Sequence, residues 1–88
     1  MKNRMLELSN ELSDLIIDSE VFDGYLELRK FDDNDFKITL THFHDYYTYN
    51  NSSITVYNFN NEQQFEDFKN RAIDCIQNNT ILKSLGRG

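Results

Sequence analysis

The chain has no proline, no tryptophan, one cysteine and three glycines, and it is poor in cations, with nine Lys and Arg against fifteen Asp and Glu in 88 residues. Each shortage excludes something. With Cys75 alone, no internal disulfide can form, and the cytoplasm is the expected compartment. No apolar run approaches the roughly 20 residues that a membrane-spanning helix needs. The opening MKNRMLELSNELSDL is charged throughout, so no secretory leader is expected. A net charge of −6 opposes gripping nucleic-acid phosphates, which takes a basic surface. It equally opposes an anionic membrane. It suits a basic protein partner.

What is present describes a small globular protein. Hydrophobic residues make up 39% and charged residues 27%, an ordinary balance despite a mean hydropathy of −0.68. The length implies one domain over 1–88. A chain this short buries only roughly 60% of its unfolded surface. That leaves room for a binding surface and little for an enclosed active site. The plentiful Asn, Ile, Phe and Tyr have AT-rich codons, which points to an AT-rich bacterium or its phage as the source.

Hydrophobic spacing divides the chain. Met5, Leu8, Leu12, Leu15 and Ile16 recur at three and four, which predicts an amphipathic helix over 3–19. Residues 25–31 and 36–44 alternate as strands, joined by the turn residues Asp32-Asp33-Asn34-Asp35. The polar stretch TYNNSS reads as a loop, followed by a third strand over 53–59. Asn60 or Asn61 caps a second helix, with Gln63 or Gln64 completing the capping box. Phe65, Phe68, Ala72, Cys75 and Ile76 form its apolar stripe, Asn78-Asn79 weakens it, and ILKSL at 81–85 offers one more turn before a frayed tail. Short loops imply an antiparallel meander. The expected fold is α+β, helix–three strands–helix, with both helices on one sheet face and the other face open.

The stretch HFHDYYTY, residues 42–49, raises the question of a site. His-x-His on a strand puts His42 and His44 on one face, but Asp45 points the other way and Cys75 belongs to a helix stripe. A transition metal wants three or four ligands, so no metal and no cofactor are expected. The histidines are expected to end the core-facing row, half-buried at the sheet's edge. The DDND turn lacks the glycine and distant glutamate of a calcium loop. Cys75 sits among core positions, without the activating neighbours a nucleophile needs.

Two surfaces stand out instead. Glu7, Glu11, Asp14 and Asp18 are spaced four, three and four, with no basic residue from there to Asp23. They form a ridge opposite the apolar stripe, and like charges at this spacing destabilise a helix. In the second helix Asp67 and Asp74 flank Arg71, which compensates them. The open sheet face carries Tyr25, Phe31, Phe43, Tyr57 and Phe59 among Glu27, Arg29, Lys37 and threonines. Aromatics beside arginine are the composition of interface anchors. Tyr46, Tyr47 and Tyr49 are expected to extend that side or its rim.

The element order resembles the double-stranded RNA-binding domain, but the basic cluster that family carries at its second helix is here NNEQQFEDF, so RNA binding does not carry over. In size, charge and architecture the chain also resembles small acidic phage anti-CRISPR proteins, which inhibit the type II effector nuclease by filling its basic DNA groove. That resemblance implies a non-catalytic inhibitor of a host nucleic-acid-handling protein. Glu7, Glu11, Asp14, Asp18, Asp32, Asp33 and Asp35 would imitate phosphates, and Phe43, Tyr47, Tyr49 or Tyr57 would anchor the contact. An immunity protein against a cognate basic toxin, and a metal-dependent protein using His42 and His44, are the alternatives. A homodimer through the open sheet face is compatible with each.

Overall fold

The computed structural model describes residues 2–82. The helix α1 spans Lys2–Asp18, the strands are β1 (Gly24–Lys30), β2 (Phe36–Phe43) and β3 (Asn51–Tyr57), and α2 spans Glu62–Asn78. The strands form one antiparallel sheet in the order β1-β2-β3. Both helices lie on one face, and the αβββα order expected from the sequence is what forms.

The helices run parallel. Arg4 of α1 bonds Glu62 near the start of α2, Glu11 lies 3.9 Å from Lys69 in its middle, and Ser19 donates to the Ile76 carbonyl near its end at 2.8 Å. The Ser19 hydroxyl also accepts from the amides of Val21 and Phe22, which terminates α1 and aims the chain at the sheet. Gly24 follows, where a Cβ would collide with the Thr41 carbonyl oxygen and the Phe22 ring. Only glycine allows β1 to begin so close to β2.

The core lies between the layers. Met5, Leu8 and Leu12 meet Ile38, Leu40 and Val56 from the sheet and Phe65, Phe68, Ala72, Cys75 and Ile76 from α2. Each fully buried aliphatic of this kind stabilises by roughly 1.5–3 kcal/mol. Asn61 is the N-cap of α2: its side chain accepts from the Gln64 amide at 2.8 Å, and Gln64 accepts from the Asn61 amide at 3.0 Å.

Beyond shifts of one residue, three boundaries differ from expectation, and β3 ends at Tyr57 rather than at residue 59. Residues 51 and 52 belong to β3, because Asn50 adopts φ 67° and turns the chain so that Asn51 pairs with Phe43. Asn79, at φ 58°, ends α2 in a left-handed cap. Ile81 and Leu82 are not helical, and Leu82 is buried in the core. The rest of the extra turn expected over 81–85, and the tail, lie outside the described residues.

Candidate protein-binding surfaces

The HFHDYYTY stretch sends His42 and Tyr47 inward. His42 is fully buried rather than half-buried at an edge. The pleat of β2 aims it at the helix layer, where it stacks on Phe22 with ring centroids 5.5 Å apart. Its Nδ1 lies 2.8 Å from the Tyr47 hydroxyl and its Nε2 lies 2.8 Å from Asn79 Oδ1. The Tyr47 oxygen also accepts from the Leu82 amide at 2.6 Å. That leaves the phenol proton for Nδ1, so Nε2 carries the ring proton and donates to Asn79. Both imidazole nitrogens are thus occupied, and among the described residues no group of three or more His, Cys, Asp or Glu converges to hold a metal. His44 accepts from the Tyr46 amide at 3.0 Å and shapes the turn.

The Tyr47 hydroxyl thus clasps His42 and Leu82 within the fold, and its ring packs half-buried against the core rather than extending the open sheet face. Burial raises its phenol above the usual range, and the Leu82 amide partly offsets this. The residue that sequence reasoning missed is Asn79, which caps α2 and receives His42 at once. Its signal was only the Asn-Asn pair at the helix end. Tyr46 and Tyr49 do point outward and are highly exposed.

The acids of α1 are all exposed, but they do not stand opposite the apolar stripe. Glu7 and Glu11 line a cleft between the helices with Arg4, Leu8, Phe65, Glu66 and Lys69. Lys69 reaches Glu11 from α2, a compensation that spacing along α1 alone could not reveal. At the head of the cleft the Arg4 guanidinium forks onto Glu62, with one bond of 2.6 Å, and lies 4.0 Å over the Phe65 ring. The arginine holds the Glu62 carboxyl below the usual carboxylate range. Asp14 and Asp18 have no cation among the described ion pairs.

The open sheet face carries the expected aromatics in two groups. Tyr25 and Phe43 meet at one end with centroids 6.0 Å apart. At the other, Phe31 meets Tyr57 edge-on at 6.0 Å and Phe59 stacks on Tyr57 at 5.0 Å. Between them run hydroxyl pairs, Thr39 with Thr55 at 3.0 Å and Thr41 with Ser53 at 2.9 Å. Phe59 remains 61% exposed and Tyr25 51%.

The structure separates what a single footprint would have joined. Glu7, Glu11, Asp14 and Asp18 belong to the helix layer, whereas Phe43 and Tyr57 lie on the far face of the sheet. Asp32, Asp33 and Asp35 sit at the hairpin end, beside Phe31, where Asn58 ties the turn to β3 by donating to the Asn34 carbonyl at 3.1 Å. No flat partner surface touches the α1 acids and the sheet aromatics together. No described helix is long and apolar enough to cross a membrane. The chain matches no protein-family model, no curated protein and no solved structure.

Proposed function

We propose that this protein is a non-catalytic inhibitor that works inside a bacterial cell, phage or mobile-element encoded, and occupies the basic groove of a nucleic-acid-handling protein such as a CRISPR nuclease. The observation that carries this reading is the exposed row Glu7, Glu11, Asp14, Asp18 on one flank of α1. At 1.5 Å per residue the row spans roughly 16 Å, one negative charge per roughly 5.5 Å. One strand of duplex DNA carries one per roughly 3.4 Å. The flank thus carries a sparser row of negative charge than a single strand, with Glu11 partly offset by Lys69, but on a rigid support. Such charge chiefly speeds association, and contacts beside it set release.

The test is target-DNA binding by a purified guide-loaded type II nuclease, with the protein added in increasing amounts. Asp14→Lys with Asp18→Lys removes four units of charge from the flank without touching the Glu11–Lys69 pair or the core. Inhibition by the natural chain that the double variant loses supports groove occupation. Equal inhibition by both removes the phosphate-mimic reading. No inhibition by either removes this nuclease as the partner.

A second reading is favoured by the exposed aromatics. Here the open sheet face is the anchor, and the acids only steer the approach. Phe59→Ala and Tyr25→Ala would then abolish inhibition that Asp14→Lys with Asp18→Lys leaves standing at high salt.

A further inference from the structure

We propose that β1 pairs edge to edge with β1 of a second copy, in antiparallel register centred on Leu28, so that two three-stranded sheets become one. β1 is an outer strand. At the ends of its ladder with β2, the Phe43 amide donates to the Asp23 carbonyl at 2.8 Å and the Phe31 amide to the Asp35 carbonyl at 3.1 Å. Antiparallel pairing alternates, so Tyr25, Glu27 and Arg29 bond inward to Thr41, Thr39 and Lys37. The N–H and C=O groups of Leu26, Leu28 and Lys30 therefore point outward. No bond to them occurs among the described residues.

The other edge differs. By the same alternation Tyr57 of β3 points outward, but its amide donates to Asn60 Oδ1 at 2.7 Å and its carbonyl accepts from the Asn60 amide at 3.0 Å. Side chains of Gln64, Asp67 and Arg71 line the cleft beside Thr55 and Tyr57. That edge is partly closed, as exposed edges usually are. The β1 edge instead borders an apolar hollow of about 280 Å³ formed by Leu6, Leu28, Lys30 and Phe36. Leu6 is 41% and Leu28 45% exposed.

Charge selects both occupant and register. With the two-fold axis on Leu28, Glu27 stands opposite the second copy's Arg29, and Arg29 opposite its Glu27. On the same face Tyr25 meets the second copy's Phe31. On the helix side Leu28 meets itself, the two hollows adjoin, and Leu26 lies against the stem of Lys30. An axis on Glu27, Arg29 or Lys30 would set like charges against each other. One on Leu26 would shorten the ladder to Gly24–Leu28. The outward backbone groups of Leu26, Leu28 and Lys30 are those that this register needs. A strand that is self-complementary in charge, hydrogen-bond parity and apolar contact fits a second copy of this chain. Glu7 and Glu11 line the cleft toward α2, away from this edge, so loss of the dimer and loss of inhibition are separate outcomes.

Sedimentation equilibrium across micromolar to millimolar chain concentrations tests it. The natural chain should show twice the 10.5 kDa of one chain. Glu27→Lys and Arg29→Glu lie on the exposed face and should leave the circular dichroism unchanged. Each turns two facing opposite-charge pairs into like-charge pairs and should weaken the dimer about tenfold or more. Mixing the two variants should restore a dimer. The lysine placed at position 27 of one copy then faces the glutamate placed at position 29 of the other, and the unaltered Arg29 and Glu27 face each other. The amides of Leu26, Leu28 and Lys30 should gain exchange protection as concentration rises. A natural chain that stays monomeric to millimolar concentration overturns the proposal. So does a dimer indifferent to both substitutions, or a mixture that fails to recover.

Discussion

On its helix-covered side β2 places Phe36, Ile38, Leu40 and His42; on its open side the same strand places Lys37, Thr39, Thr41 and Phe43. Aromatics occur on both sides of the sheet. Phe65 and Phe68 close over the covered face at 4% exposure each, while Phe31 and Phe59 stand at 46% and 61% on the other. The covered face holds even its polar groups in place: His42, Tyr47, Asn79 and the Leu82 amide satisfy one another completely. The open face pairs hydroxyl with hydroxyl and leaves its rings wet. Ring content therefore does not tell a buried side from an exposed one, but the side of the strand does.

The widest contrast is between Leu40 and Phe59. Leu40→Ala opens a cavity beneath two helices and should cost about 2–5 kcal/mol of folding stability. Phe59→Ala should cost under about 1 kcal/mol, since it loses one ring stack and little burial. Chemical denaturation of both variants checks this. A loss at Phe59 as large as at Leu40 would mean that the open face is structural.

The next contrast lies within one loop. Tyr47→Phe removes a hydroxyl that serves both His42 and Leu82, leaving a buried ring nitrogen and a buried amide without partners. The expected loss is about 1–3 kcal/mol. Tyr49→Phe, on a ring 84% exposed, should change nothing measurable. Equal thermal midpoints for the two variants would show that Tyr47 holds no clasp.

These loop tyrosines also show where the sequence ran out. Period two and period three-to-four placed all five elements, because one buried face per element leaves a strong pattern. The same pattern placed His42 on the core side. It could not say that Tyr47 would fold back beneath the sheet, since that depends on Asn50 taking a left-handed turn and on Leu82 returning from beyond α2. Nor could it show Lys69 beside Glu11 or Arg4 clasping Glu62, which are contacts between neighbouring helices that lie three strands apart along the chain. The acids and aromatics were legible as surfaces. Their placement on opposite sides of the molecule was implied by the expected layering, but the turn of the acids toward α2 was not, because it follows from how the two helices pack.

The smallest effect is a titration on the covered side. Burial, with Asp74 beside it, pushes the Cys75 thiol from an ordinary 9.0 up to about 12. The unfolded chain ionises this thiol first, so the folded state binds its proton more tightly. Stability is fully present below pH 9, then declines as pH rises from 9 toward 12, by at most about 1.4 kcal/mol per pH unit for one proton. Tyr47, raised by the same burial, adds to the decline only beyond its own ordinary range near 10. Denaturation midpoints at pH 8.5 and 10 should therefore differ in the natural chain, and differ less in Cys75→Ala, whose baseline is lower from the lost packing. A thiol reagent at pH 8 should label Cys75 only at the rate of unfolding. Rapid labelling of the folded chain, or an alkaline slope that Cys75→Ala does not reduce, would place Cys75 outside the sealed layer between the helices and the sheet.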